Sequence, residues 1–247
     1  DKGEKVGLIG ETGCGKTTTM KSVLRTLSRN TIIPGGKILF EGKNIFEMDD
    51  SSLNRLRRSD ISMIFQDPTA SLNPVFKIGE QLGDVIKYSQ IESGRNPSKE
   101  EIKKLGVETL KSVALPDPER LLDNYPIQLS GGMRQRACIA MSLVAANKLV
   151  IADEPTTNLD VTIADQILRL IGKLVEERGT SLILISHALG AVKGLVDRVA
   201  VMYAGNIVED AKKRELFSEP LHPYTRHLIG AVPKLTGGGV SEGIKGR

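Results

Sequence analysis

Three short stretches carry residues suited to handling phosphate. In GETGCGKTTT, residues 10–19, Gly10, Gly15, Lys16 and Thr17 fit the spacing G-x-x-x-x-G-K-[ST]. Glycines let consecutive backbone N–H groups point inward as an anion nest, and the start of a following helix adds partial positive charge. The predicted cradle is Gly10, Glu11, Thr12, Gly13, Cys14, Gly15, Lys16, Thr17 and Thr18, with Lys16 reaching the β- and γ-phosphates and the Thr17 hydroxyl binding Mg²⁺. In KLVIADEP, residues 148–155, an apolar run ends on Asp153 and Glu154. Adjacent residues of a strand point in opposite directions, so Asp153 could serve the metal while Glu154 addresses an attacking water. In LSGGMRQR, residues 129–136, Ser130 offers a hydroxyl, Gly131 and Gly132 expose backbone N–H groups, and a helix start points outward. A simple helix cap would need Ser130 but not the double glycine with Gln135 behind it.

These stretches need elements to hold them. KVGLIG (5–10) reads as a strand running into the glycine loop, and Met20, Val23, Leu24 and Leu27 recur at helical spacing over 16–27. GGKILFEGKNI (35–45) has the pattern of an antiparallel hairpin arm, and ISMIFQ (61–66) reads as a buried strand ending on Gln66. Residues 77–127 are charged, helix-favouring and cut by prolines, which predicts an inserted helical subdomain. A turn and helix over 129–146, a strand over 148–155 and an amphipathic helix over 161–178 follow, the helix with Val161, Ala164, Ile167, Leu168, Ile171, Leu174 and Val175 on one side. SLILISH (181–187) is a further core strand, ending on His187, and RVAVMYAGNIVED (198–210) fits a hairpin about Gly205-Asn206. A short helix and LHPYTRHLIGAVP (221–233) come next, and the glycine-rich stretch 236–247 reads as a flexible tail. Apolar strands alternating with helices predict an α/β fold around a mostly parallel sheet.

Composition narrows the function classes. At 247 residues the chain can bury a full core, and 40% hydrophobic with 26% charged residues is ordinary for a soluble globular protein. No apolar run approaches the roughly 18 residues of a membrane span, and no signal peptide opens the chain. The net charge of +4 comes with basic clusters (Arg55, Arg57, Arg58; Lys212, Lys213, Arg214) that have no interleaved aromatics, so they read as solvated faces and no nucleic acid is expected. Cys14 and Cys138 make no disulfide framework; Cys14, inside the loop, is a small filler or an oxidation-sensitive thiol. His222 and His227, five apart, do not share a helical face, and no zinc site is predicted.

Taken together, the glycine loop, the acidic strand end and LSGGMRQR resemble the ATP-binding cassette ATPases, the nucleotide-binding subunits of ABC transporters. That resemblance covers nearly the whole chain and implies a P-loop fold of ABC type, with an antiparallel β arm and a helical subdomain. It divides the chain into a RecA-like core, 1–76 with 147–235, a helical subdomain, 77–146, that carries the signature Leu129–Gln135, and a tail, 236–247. It also implies the cofactors ATP and Mg²⁺. Thr17, Gln66 and Asp153 would serve the metal, Glu154 would polarise the attacking water, and His187 would contact the γ-phosphate. Ser130, Gly131, Gly132 and Gln135 would act on the nucleotide held by the opposite subunit, and TTNLD (156–160) would put Asp160 at the interface. MIFQDPTASLNP (63–74), LDVTIADQIL (159–168) and LHPYTRHLIGAVP look like the dipeptide, oligopeptide and nickel importers of the family. The implied partners are a second ATPase subunit, two integral membrane permeases at the cytoplasmic face and, indirectly, an extracytoplasmic substrate-binding protein.

The chain departs from the family pattern at several places. It starts immediately before the first P-loop strand, where the family has two earlier strands and an adenine-stacking aromatic, so N-terminal strands are expected to be missing. Thr12, Cys14 and Thr17 stand where Ser is frequent, Ala188 where Asp is frequent and Asn158 where Ala is frequent; none removes a catalytic group. The longer C-terminal extension common in the subgroup, sometimes with a cysteine cluster, is not in this sequence. A second reading stays open at this point: an ABC ATPase of a soluble enzyme complex such as the carbon–phosphorus lyase system, whose subunits share the HPYT-like ending.

Overall fold

A computed structural model of the chain describes residues 1–157 and 159–231; the predicted tail, 236–247, and the departure at residue 158 lie outside the described residues. The chain opens with strand β1 (Lys5–Ile9), helix α1 (Lys16–Val23), the short strands β2 (Leu39–Phe40) and β3 (Lys43–Asn44), helix α2 (Asp50–Ser59) and strand β4 (Ile61–Ile64). Helices α3 (Pro68–Ser71), α4 (Ile78–Glu92), α5 (Lys99–Ser112), α6 (Pro118–Leu121) and α7 (Gly131–Ala145) follow. Strand β5 (Leu149–Asp153), helix α8 (Val161–Arg178), strand β6 (Ser181–Ile185) and helix α9 (Leu189–Leu195) come next. Strands β7 (Arg198–Tyr203) and β8 (Asn206–Lys212) and helices α10 (Lys213–Ser218) and α11 (Pro223–Gly230) end the described part.

The main sheet has the order β4-β5-β6-β1-β7-β8, parallel throughout except for the antiparallel β7–β8 pair. Val150, Ile151, Ala152, Leu182, Leu184 and Ile185 are fully buried, as strands covered on both faces require. One face packs under the side chains of α4, α5, α7 and α8 around Leu82, Leu110, Ile139, Ile167 and Ile171. The other packs with Met20 and Leu24 from the end of α1 and Leu53 and Leu56 from α2. The arm forms as β2 and β3 pair antiparallel. Helix starts are locally encoded: Asp49 accepts from Ser52 N at 2.8 Å, and Ser98 and Glu101 form a reciprocal capping box on α5.

The structure differs from the sequence expectation where the chain must turn. Helix α1 stops at Val23 instead of Leu27, because Arg25 takes a left-handed φ of 49° and Thr26 N donates back to Lys21 O at 2.9 Å. The β7–β8 turn lies one residue earlier than expected, on Ala204 and Gly205, which have φ of 46° and 84° as a type I′ hairpin demands. Val161 is 87% exposed, not part of the buried side of α8, because it is the first helical residue and precedes the turn that meets the core. Strands β4, β5 and β6 end at Ile64, Asp153 and Ile185. Gln66, Glu154 and His187 therefore stand on the turns just past the strands and not on the strands themselves.

One ion pair ties the start of β1 to the antiparallel edge. Arg198 donates to Glu4 Oε1 at 2.7 Å and to Asp210 Oδ2 at 2.6 Å. The hydrogen bond from Arg198 holds the Glu4 carboxyl down at about 2 from an ordinary 4.5. A carboxyl depressed by folding stabilises the folded state above its unfolded pKa and loses that contribution as the pH falls through its folded one. Arg198→Met should therefore lower Tm at neutral pH, with the gap to wild type narrowing steadily between about pH 4.5 and pH 2. Thermal melts across that range check it, and a gap that does not change with pH would rule the pair out as its source.

Candidate functional site

The carboxyl ends of β1, β4, β5 and β6 share one edge of the sheet, where open α/β sheets place ligands. Strand β1 delivers the chain into the glycine loop. A Cβ on Gly10, whose φ is 151°, would stand 2.2 Å from Met202 O, so no other residue fits there. Gly15, at φ 109°, starts α1 without a side-chain cap, which leaves the first-turn N–H groups facing the loop. Lys16 is buried to 6% exposure, and its Nζ donates to Gly10 O and Glu11 O, each at 2.7 Å. A buried ammonium needs such partners, and these carbonyls hold it at the loop's mouth.

The acidic pair divides as the chain leaves β5. Asp153 stays on the strand, 3% exposed, and accepts from Thr17 Oγ1 at 3.1 Å. Burial pushes its carboxyl above the usual range, with the Thr17 hydroxyl opposing. Glu154 takes a left-handed φ of 46°, and its N–H donates to Ile185 O at 3.0 Å. Its direction comes from this turn, and the alternating strand pleat predicted from sequence is not what sets it. Three groups converge on its carboxylate: His187 Nδ1 is 3.2 Å from Oε1, while Gln66 Nε2 and Thr157 Oγ1 donate to Oε2 at 3.2 and 3.0 Å. His187 is half exposed or more, with 62% of its side chain open.

Apart from Asp153, these groups line one cavity of about 630 Å³, walled by Ile9 to Gly13, Gly15 to Thr18, Gln66, Glu154, Thr157, His187, Leu189 and Leu228. Of the cradle residues named from sequence, Cys14 is not in the wall; it sits half-buried behind it, packed beside Met20 and Met202. Both thiols are free, and burial pushes that of Cys138 up to about 12.

The LSGG stretch stands elsewhere. Ser130 caps α7, its Oγ accepting from Met133 N at 3.3 Å, and a Cβ on Gly131 would meet nothing within 4 Å. Neither lines the loop cavity. Gln135 is not on that open surface: it is 1% exposed, and its Nε2 donates to Pro155 O at 2.8 Å, because it lies further along α7 where the helix is packed into the core. It ties the LSGG helix to the turn that carries Glu154 within the same chain. Asp160 is exposed and caps α8 through Ile163 N at 2.9 Å.

Sequence reasoning missed two contributors. Thr157 lies inside the quoted TTNLD but only the turn at Glu154 folds it back to the carboxylate. Tyr224 of the HPYT segment reaches the loop, its hydroxyl accepting from Glu11 N at 3.0 Å. Their separation of 213 residues left no local signal for the pairing.

A loop that cradles phosphate, a carboxylate held at its mouth and a remote LSGG helix start define a class of nucleotide-binding cassette. Comparison with known proteins agrees. The family model described as ABC transporter matches residues 1–157, and one described as the oligopeptide/dipeptide transporter C-terminal region matches 208–247. The oligopeptide transport ATP-binding protein OppD of Bacillus subtilis (strain 168) is 46% identical over 247 residues, covering 98% of this chain and 66% of that protein. The dipeptide transport ATP-binding protein DppD of the same organism is 44% identical over 235 residues, covering 95% and 69%. The chain thus spans about two thirds of the length of these relatives. Among solved structures, the ATP-binding cassette MJ0796, a dimer in a post-hydrolysis state bound to ADP and Pi, superposes with a TM-score of 0.74 at 27% identity over 87% of each chain. The protein cbiO1 from Clostridium perfringens, part of the ABC transporter complex cbiONQ, gives 0.72 at 28% identity over 89% of this chain and 81% of that one. The chain belongs to the ABC transporter family, as one of its ATP-hydrolysing cassettes.

Replacing Gln135 by Leu would leave the Pro155 carbonyl buried without its donor. That should cost about 1–3 kcal/mol of stability in a urea titration, and an unchanged unfolding midpoint would count against the tie.

Proposed function

We propose that this chain is the ATPase subunit of an importer for oligopeptides or dipeptides, working as a face-to-face dimer at the cytoplasmic side of a membrane. One observation carries the ATPase part: Glu154, steadied by His187, Gln66 and Thr157, stands at the mouth of the cavity that contains Lys16. The names of OppD and DppD, together with the match of 208–247 to a peptide-transporter C-terminal region, favour peptides over nickel and over a soluble enzyme complex. Among the described residues no helix is long and apolar enough to cross a membrane. Attachment is therefore assigned to two permease subunits, served from outside by a substrate-binding protein. Residues 1–76 with 147–235 form the nucleotide core in this reading, and 77–146 the helical subdomain that meets the partner.

The residues present fit a magnesium ion. Thr17 and the buried Asp153 put hard oxygen donors side by side, and burial makes the Asp153 carboxylate one that a cation would favour. Gln66 would complete that side. When bound, Mg²⁺ would offset the charge of the β- and γ-phosphates.

Lys16 would turn from the Gly10 and Glu11 carbonyls to phosphate oxygens. The loop N–H groups would hold those phosphates, the γ-phosphate nearest Glu154. Glu154 would orient a water and accept its proton. His187 faces Glu154 with Nδ1, and its exposed ring would stand beside the γ-phosphate, so one side chain would keep water and phosphate in line. Ser130, Gly131 and Gly132 would approach the γ-phosphate held by the partner, with Asp160 at the seam and Gln135 supporting from behind. The γ-phosphate would then be the group both subunits share, and its loss would favour the open state.

Glu154→Gln should keep ATP binding, lose turnover by about 10²-fold or more, and accumulate as an ATP-bound dimer in gel filtration. Phosphate release at the wild-type rate would sink the assignment of the base. In mixed dimers, one Ser130→Arg subunit should disable the site on its partner, as read by labelling a partner that retains Lys16; damage confined to its own loop would contradict the face-to-face arrangement.

A further inference from the structure

The segment from β8 to α11 builds part of the phosphate loop's support, from residues far away in sequence. Glu11 is clamped on both sides. Its N–H donates to the Tyr224 hydroxyl at 3.0 Å, and its carbonyl accepts from Lys16 Nζ at 2.7 Å. Just past the exposed tip, Cys14 O accepts from Gly205 N at 3.0 Å, so the β7–β8 turn holds the loop's other shoulder. Only Thr12 and Gly13 lie between these two outside attachments.

Tyr224 is itself firmly placed. It is 7% exposed, and its ring lies 4.5 Å from that of Tyr203, centre to centre, at an angle of 44°. Glu209 fixes the chain just ahead of it, one oxygen accepting from Leu221 N and the other from His222 N, each at 2.9 Å. His222 Nδ1 then accepts from Tyr224 N at 3.1 Å and caps α11. One helical turn beyond Tyr224, Leu228 enters the cavity wall.

We propose that Tyr224 is a positioning residue for the phosphate loop, fixing through the Glu11 N–H the Gly10–Glu11 peptide, whose Gly10 carbonyl holds Lys16 at 2.7 Å, and so coupling the β8–α11 segment to ATP occupancy. The inference rests on ATP phosphates occupying the Gly10–Thr18 loop. Lys16 must exchange the Gly10 and Glu11 carbonyls for phosphate, and a fixed Gly10–Glu11 peptide keeps that exchange short and the loop preorganised. Without the phenol hydroxyl the Gly10–Glu11 peptide loses its outside anchor, and binding then has to order it. Coupling is reciprocal, so ATP should also steady α11.

Tyr224→Phe keeps the ring and its stacking on Tyr203 and removes only the hydroxyl. In the full chain it should raise the Kd and the KM for ATP about 3- to 10-fold, with kcat within about twofold and an unchanged Tm without nucleotide. Lys16→Ala serves as the control for the loop. An unchanged KM in Tyr224→Phe beside lost binding in Lys16→Ala would overturn the clasp and leave the phosphate site standing. A KM change accompanied by equal losses of kcat and Tm would also overturn it, as a general loosening. Should wild type and Lys16→Ala bind ATP equally poorly, the phosphate-loop reading falls and the clasp with it. Hydrogen exchange provides a measurement that survives a variant that does not fold: ATP should slow exchange across 221–230 in the wild-type chain, and no protection there would reject the coupling.

Discussion

Parallel pairing of β4, β5, β6 and β1 is the constraint on which the site depends. Strands that run the same way in register end at one edge, so four chain exits meet there although they lie far apart in sequence. Each exit delivers one kind of group: the glycine loop from β1, Gln66 from β4, Asp153 and Glu154 from β5, His187 from β6. Hydrophobic burial on both faces of the sheet holds those exits still. The chemistry inherits its precision from a core that contains none of it.

At that edge, polar groups are held under strain or out of water. Lys16 is buried, and two carbonyls accept from its Nζ there. Asp153 is penalised by burial and supported by one hydroxyl. Glu154 occupies a left-handed conformation that costs a non-glycine residue on the order of 1–3 kcal/mol, and the bond from its N–H to Ile185 O helps maintain it. Such costs are typical of sites organised in advance of their ligand.

The LSGG helix start follows a different logic. Ser130 and Gly131 face away from the chain's own loop cavity, whereas Gln135, one turn on, reaches inward to the turn that carries Glu154. One helix thus has an exposed start at Ser130 and an inner contact with the turn that carries Glu154. The β8–α11 segment adds a second such link, from the C-terminal region to the loop.

Much of this was legible in the residues. Glycine spacing, apolar runs and capping residues act over a few neighbours, so the loop, the core strands, the helical character of 77–127, α8 and the LSGG turn could be read directly. Where the reading slipped, longer-range contacts had taken over: Arg25 stops α1 while its side chain reaches Met48 O, and the Ala204–Gly205 turn is shifted by the register of β7 on β8. The sequence alone determined the G-x-x-x-x-G-K-T loop and the LSGG turn, since both are local conformations set by residues a few positions apart. Tertiary structure alone decided what holds them: Glu154 is aimed by a bond to β6, Gln135 is turned inward, and Tyr224 meets Glu11 across 213 residues. Those contacts depend on how the sheet and its covering helices pack, and no local pattern of residues encodes a distance between strands.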